Sequence, residues 1–171
     1  MVRQEKNLLP AIYFDKLKNI VTSNSLQWYF QKQTIADHKS DNHFMFTHSL
    51  FAFNQGQNSS WFKEFEPIVY FLYLKDIKVN KLLRMKLNLY TNQNKKIEHI
   101  SHTDINDKGI PRKNVNIAIL NFMNCNGSTI IKGKKYPSKE NEALIFNNLN
   151  EHFGVVQTDT HTRIVLNIAW E

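Results

Sequence analysis

The tripeptide His102-Thr103-Asp104 closes a stretch, Ile97 to His102, whose composition suits a strand. Residues two apart on a strand project to one face, so the imidazole and the carboxylate can converge on a single ion. A third donor, His152, stands in Asn150-Glu151-His152-Phe153-Gly154, where the glycine permits close backbone packing at the start of a strand. Two histidines and one carboxylate on one side of a metal leave positions open for a co-substrate and O₂, a donor set that suits non-haem Fe(II). A closed tetrahedral zinc site offers no such vacancy. Cys125 is the only cysteine, which removes cysteine-based zinc sites and internal disulfides together. It sits in Asn124-Cys125-Asn126-Gly127, which reads as a turn.

A His-x-Asp tripeptide arises readily by chance, so the weight falls on a fourth residue. Arg163 opens the apolar run Ile164-Val165-Leu166-Asn167-Ile168-Ala169-Trp170. A guanidinium at the head of a buried strand is costly without a partner. A dicarboxylate co-substrate supplies one through paired charge-assisted hydrogen bonds; a salt bridge to Glu142 or Glu171 is the structural alternative. His161 shares the face of Arg163 and rivals His152 as third ligand, although it follows the turn-like Thr158-Asp159-Thr160 and has no glycine after it. His99, three residues before His102, is expected to face away from the metal as a packing or surface residue. His38, His43 and His48 lie upstream without ligand spacing.

These groups must be held by surrounding elements. Phe14, Leu17, Ile20 and Val21 recur at helical spacing, and Ser60 as N-cap predicts a second helix that places Trp61, Phe65, Ile68, Val69 and Leu72 on one face. Ser25 to Gln31 and Phe44 to Phe53 read as strands, the second flanked by polar loops at Ser40 to Asn42 and Asn54 to Ser60. Beyond them, Leu82 to Tyr90, Ile97 to His102, Val115 to Phe122, Ser128 to Lys132, Ala143 to Phe146, Gly154 to Val156 and Arg163 to Trp170 are short, β-branched or aromatic, and punctuated by Asn, Gly, Asp or Pro. Strands of this length and interval predict a sandwich, jelly roll or barrel with N-terminal helices packed on one sheet. At 171 residues and 42% hydrophobic content, one domain (1–171) is expected, with 1–80 a helical and strand cap and 81–171 the core.

No apolar stretch approaches the roughly 20 residues of a membrane span, and no charged-then-apolar leader opens the chain, so a cytoplasmic protein is expected. The formal charge of +7 suits an anionic partner, yet lysine is scattered without a basic block, which favours a solvated basic surface over a nucleic-acid footprint.

His102-x-Asp104, His152-x-Gly154 and Arg163, eleven positions after the distal histidine, resemble the 2-oxoglutarate/Fe(II) dioxygenase superfamily. Lys86-Leu87-Asn88-Leu89-Tyr90 and Glu98 to Asp104 are similar to small prolyl-hydroxylase-like oxygenases of bacteriophages and bacteria. The resemblance runs from about Arg84 to the C-terminus. It implies a mainly β, α+β fold, the double-stranded β-helix, in a protein of a bacterial or phage-infected cell. Fe(II) would be held by His102, Asp104 and His152, with 2-oxoglutarate on Arg163 and within reach of Asn88 or Tyr90, O₂ consumed, and ascorbate as an optional reductant. Tyr90 is otherwise an aromatic core residue, and Asn121 and Asn167 either face the same interior or are structural amides. The implied substrate is a C–H bond of a prolyl-like peptidyl side chain. A nucleobase is the alternative within the superfamily, against which stands Ala169, where the demethylase branch carries a second arginine. A non-catalytic jelly-roll or cupin-like binding module is the alternative of another class. Because metal binding needs neutral imidazoles, activity is expected to fall at acid pH.

Overall fold

Residues 164, 166, 168 and 170 face one hydrophobic core and residues 165 and 169 another, so a single strand divides the interior into two layers. A computed structural model of the chain describes residues 1–34 and 43–171; His38 and Ser40 to Asn42 lie outside the described residues. In chain order the elements are β1 (Arg3–Lys6), α1 (Ala11–Thr22), β2 (Tyr29–Gln31), β3 (Met45–Ala52), β4 (Gly56–Gln57), α2 (Phe62–Phe65), α3 (Ile68–Tyr73), β5 (Leu82–Thr91), β6 (Asn106–Asp107), β7 (Ile110–Pro111), β8 (Asn116–Asn121), β9 (Cys125–Ile131), β10 (Lys134–Ser138), β11 (Glu142–Asn147), β12 (His152–Val155) and β13 (Thr162–Trp170).

The larger sheet runs β1-β11-β8-β13-β5-β3-β2, with β4 paired to β3. A smaller sheet, β10-β9-β12, covers one of its faces. Ile117, Ile119, Leu144, Phe146 and Val165 of the large sheet pack there against Ile131 and Tyr136 of the small one. On the opposite face Met85, Leu87, Leu120 and Leu166 meet Phe14, Leu17, Phe65, Ile68 and Leu72 of the helices. The result is a mainly β jelly roll with helices on the outer face of one sheet. Burying alternate rows of both sheets supplies the main driving force, at about 25 cal/mol per Å² of apolar surface.

The second helix is shorter than its periodicity predicts. Pro67 divides it into α2 and α3, because proline lacks the N–H a continuous helix needs. Its start is held by Ser59, whose hydroxyl accepts from the Trp61 N–H at 3.1 Å. Lys132 and Gly133 both take positive φ, 49° and 75°, in a two-residue turn joining β9 to β10, the twist that a tight hairpin requires. No helix among the described residues is long and apolar enough to cross a membrane.

Candidate active site

His102 and His152 meet across a narrow antiparallel bridge: each backbone N–H donates to the other's carbonyl at 3.0 Å, and the rings lie 4.6 Å apart. Their outer ring nitrogens are already engaged. His102 Nδ1 donates to the Ile100 carbonyl at 3.0 Å and His152 Nδ1 to the Asn150 carbonyl at 3.4 Å, which leaves both Nε2 lone pairs open as donors. His152 Nε2 is 3.2 Å from Asp104 Oδ2. One donor atom from each of His102, Asp104 and His152 lies within 4.8 Å of the others. Two neutral imidazoles and an ionised carboxylate fit a divalent cation. Burial lowers the His102 pKa below its ordinary 6.5, assisted by the neighbouring His152 and opposed by Asp104, so the ring stays neutral at physiological pH.

Asp104 is held from several sides. Asn148, fully buried, accepts the backbone N–H of Asp104 and of Ile105 at 3.0 Å each, and donates to the carbonyls of Ile105 and Arg112. The side chain pairs with Arg84, and Asn167 Nδ2 donates to Oδ2 at 3.0 Å. Arg84 also donates to Asn167 Oδ1 at 2.8 Å, which closes a three-residue ring of contacts. Burial pushes the carboxyl up, but Arg84 and then His152 outweigh it and hold the pKa well below the usual carboxylate range. Arg84→Met is therefore expected to lower stability at pH 7 by about 2 kcal/mol, since it strands a buried charge at a partly solvated pair. The sign with pH is fixed: a depressed carboxylate pKa adds stability above the unfolded value of about 3.9 and loses it as pH falls through the folded value. The deficit of the variant should thus persist down to about pH 4 and shrink below it, as urea titrations across pH would record.

At the other end of the cavity lies Arg163, 2% exposed. Its Nη2 donates to Thr129 Oγ1 at 2.9 Å, its Nε has no partner, and its guanidinium sits 5.6 Å from the centre of the Tyr90 ring. Asn88 Oδ1 beside it is also unpartnered. The register explains the grouping: Arg163 pairs with Tyr90, Val165 with Asn88 and Asn167 with Lys86, all lining the cavity, and the next pair on the same face is Ala169 with Arg84. Neither Glu142 nor Glu171 reaches Arg163, for Gln4 donates to the first and Arg112 pairs with the second.

Two glycines make room for the guanidinium. A Cβ on Gly127 would come within 2.9 Å of Arg163 Cδ and 3.1 Å of the Val155 carbonyl oxygen, and one on Gly154 would meet His99 Nδ1 at 3.2 Å. Gly127→Ala should displace the guanidinium and weaken binding of a dicarboxylate about tenfold or more, at roughly 1.4 kcal/mol per decade, with little change in metal affinity. Isothermal titration on the variant loaded with Mn(II) measures both.

Several sequence expectations are corrected here. Ile97 to His102 is not a continuous strand. Val156 N–H reaches the Ile97 carbonyl, Glu98 bridges Val155 and His102 bridges His152, so one residue is extra on this side and a bulge resets the alternation. His99 in consequence faces the cavity, 5.0 Å ring to ring from Tyr90, instead of away from it. His161 is exposed and stands apart from the three donors. His48 bonds the Gln27 carbonyl and Ser59. Asn121 is a structural amide bonded to the Glu142 carbonyl and Ser138, whereas Asn167 joins the cavity. Cys125 opens β9 rather than occupying a turn. Arg84, Asn148 and Gly127 carried no sequence signal of their role. Arg84 stands opposite Ala169 on the neighbouring strand and is paired with Asp104.

No family model and no curated protein matches the sequence. Solved structures do match. A Burkholderia pseudomallei oxidoreductase of the 2OG-Fe(II) oxygenase family superposes with TM-score 0.73 over 99% of this chain and 84% of its own, at 9% identity. The fold is that of the 2-oxoglutarate/Fe(II) oxygenases. A Trichoplax adhaerens prolyl hydroxylase, in complex with a hypoxia inducible factor oxygen degradation domain peptide fragment, gives 0.67 over 99% and 82% at 14% identity. The α-ketoglutarate-dependent epimerase SnoN of nogalamycin biosynthesis gives 0.62 over 99% and 75% at 10% identity. The shared architecture therefore spans more than one reaction, and the chemistry must be read from the residues.

Proposed function

We propose that this protein is a 2-oxoglutarate-dependent Fe(II) dioxygenase that hydroxylates a C–H bond, with His102, Asp104 and His152 as the iron ligands and Arg163 as the anchor of the co-substrate's distal carboxylate. One observation carries the reading: a fully buried guanidinium, without a carboxylate partner among the described residues, shares a cavity with an open two-histidine, one-carboxylate donor set. A structural or sugar-binding jelly roll has no use for that combination.

Iron, 2-oxoglutarate and O₂ together supply the oxidation, in which one oxygen atom ends in succinate, the other in the hydroxylated product, and CO₂ leaves. The chain supplies position and charge. Arg163 and Thr129 mark one end of the co-substrate cradle, and Asn88 and Tyr90 offer further polar contacts along it. Tyr90 remains a neutral donor, because burial raises its pKa against the opposing pull of Arg163. Asp104 offsets part of the metal's charge, and Arg84 with Asn167 keeps that carboxylate ionised and oriented. With Nδ1 of each histidine engaged by a backbone carbonyl, Nε2 is the ring atom left to a metal. The reading places the whole of 1–171 in one oxygenase domain, the first 80 residues as its cap.

A peptidyl, prolyl-like side chain is the proposed substrate, supported by the peptide-bound Trichoplax neighbour and by the similarity around Lys86 to Tyr90. The test is direct. Anaerobic protein with Fe(II) should bind 2-oxoglutarate with a visible charge-transfer band, and air with ascorbate should then release succinate slowly without substrate. Absence of both band and succinate moves the chain to the non-catalytic binding modules. A mass-spectrometric search of treated lysate for products heavier by one oxygen identifies the substrate, and oxidised nucleobases in place of peptides would overturn the peptidyl assignment.

A further inference from the structure

Four side chains share one face of β5: Lys86, Asn88 and Tyr90 line the cavity, and Arg84 pairs with Asp104 at its edge. Three of them have work in the site already described. Lys86 does not. Arg84 takes Oδ1 of Asp104 and Asn167 takes Oδ2, so the only carboxylate lining the cavity among the described residues is already engaged at both oxygens. Lys86 makes no hydrogen bond or ion pair to any described residue and stands two positions from Arg84, a like charge. Placing two cations about 7 Å apart along a strand, beside a single carboxylate, is unfavourable unless an anion arrives.

The carboxylate held by Arg163 is not that anion. Lys86 is four residues from Tyr90, the partner of Arg163, hence about 13 Å away along the strand, at the far end of the cavity from the guanidinium. Charge balance leads to the same place, resting on the dioxygenase reading above. Among the described residues Asp104 offsets Arg84, and of the two carboxylates of 2-oxoglutarate one offsets Arg163 and the other half the charge of a divalent ion, so the metal side keeps an excess of positive charge that includes Lys86. The chain as a whole carries a formal charge of +7. One ammonium is a match for one negative charge; it lacks the fork of a guanidinium or the array of donors that phosphate sites use.

We propose that Lys86 is a substrate-binding residue that takes a carboxylate of the molecule to be oxidised, so that the reacting C–H bond lies near an acidic group. Within the peptidyl reading this means an aspartyl or glutamyl residue, or a chain-terminal carboxylate, at or next to the site of hydroxylation. The amine is well suited to respond to such a group, being half-buried and with its pKa drawn down to about 8 by burial and by Arg84.

The test uses the full chain loaded with Mn(II) and N-oxalylglycine, an unreactive diacid that fills the co-substrate position. The probes are N-trifluoroacetyl aspartate α-amide, its asparagine counterpart and its phosphoserine counterpart, read by Mn(II)-induced broadening of the fluorine resonance. The aspartate probe should bind about tenfold or more tighter than the asparagine probe, as a charge-assisted contact gives. Lys86→Gln should bring that ratio near one, and Lys86→Arg should retain most of it. Equal broadening by aspartate and asparagine, or a ratio that survives Lys86→Gln, overturns the assignment, and a preference for phosphoserine overturns the carboxylate class. Calorimetric uptake of N-oxalylglycine by the wild-type protein separates the two levels. If uptake fails, the dioxygenase reading fails with it; if uptake occurs and the probes are not distinguished, only the role of Lys86 falls.

Discussion

Arg163→Met is expected to cost at least about 100-fold in affinity for 2-oxoglutarate and yet to raise the thermal stability of the ligand-free protein. The first effect follows from two charge-assisted hydrogen bonds at roughly 1.5 to 3 kcal/mol each, which convert to about two to four decades of affinity. The second follows from the guanidinium's surroundings. It is buried, bonded through Nη2 to Thr129, unpartnered at Nε, and faces no carboxylate among the described residues. Replacing such a charge with an apolar chain of similar reach removes a desolvation penalty on the order of 1–3 kcal/mol, or about 2–12 °C in Tm for a chain of this size. A residue kept for the fold would show the opposite sign. Calorimetric titration of the Mn(II)-loaded variant and a melting curve of the metal-free variant read the two effects independently. Loss of stability with unchanged 2-oxoglutarate binding would make Arg163 a structural residue and remove the anchor on which the proposed function depends.

The long strands were legible in the sequence because their two faces meet different cores. On β13 the even positions enter the helix-side layer and the odd ones the inter-sheet layer, so Arg163 and Asn167 stand out as polar residues in an apolar row. The donor set was legible for a related reason: a His-x-Asp and a His-x-Gly at strand ends carry their chemistry in their spacing. Contacts that depend on register between distant strands were not. Arg84 lies opposite Ala169, and Gly127 stands against Arg163 from a strand 36 residues earlier, pairings that no local periodicity encodes. His99 was misjudged because strict alternation does not survive an extra residue between it and His102. β1, with the polar sequence Arg3-Gln4-Glu5-Lys6, shows no hydrophobic period because it is an edge strand paired only to β11. In the second helix the signal was present in Pro67, and the apolar spacing around it concealed the break.

Asp104→Ala should abolish succinate release and lower affinity for Mn(II) or Zn(II) by more than about 10³-fold. Changes to groups that merely orient a ligand cost about 10- to 100-fold, and this substitution removes a ligand together with the only carboxylate lining the cavity among the described residues. It also leaves Arg84 and Lys86 near the metal position without a carboxylate among the described residues, so the electrostatics of the site turn from mildly favourable to repulsive. Asp104→Ala combined with Arg84→Met should therefore bind metal better than Asp104→Ala alone, a coupling that a simple loss of one donor does not produce. The pH dependence of the wild-type protein supplies a second check. His102 has a folded pKa below 6.5, so its imidazole competes with protons only under acid conditions, and Asp104 stays ionised further still. Metal affinity should hold steady from neutral pH down to about 6.5, the ordinary histidine value, and fall once protons occupy the Nε2 positions. An affinity that keeps falling with pH only near the carboxylate range, or a double variant no better than the single one, would place the metal on other groups and dissolve the assignment of His102, Asp104 and His152.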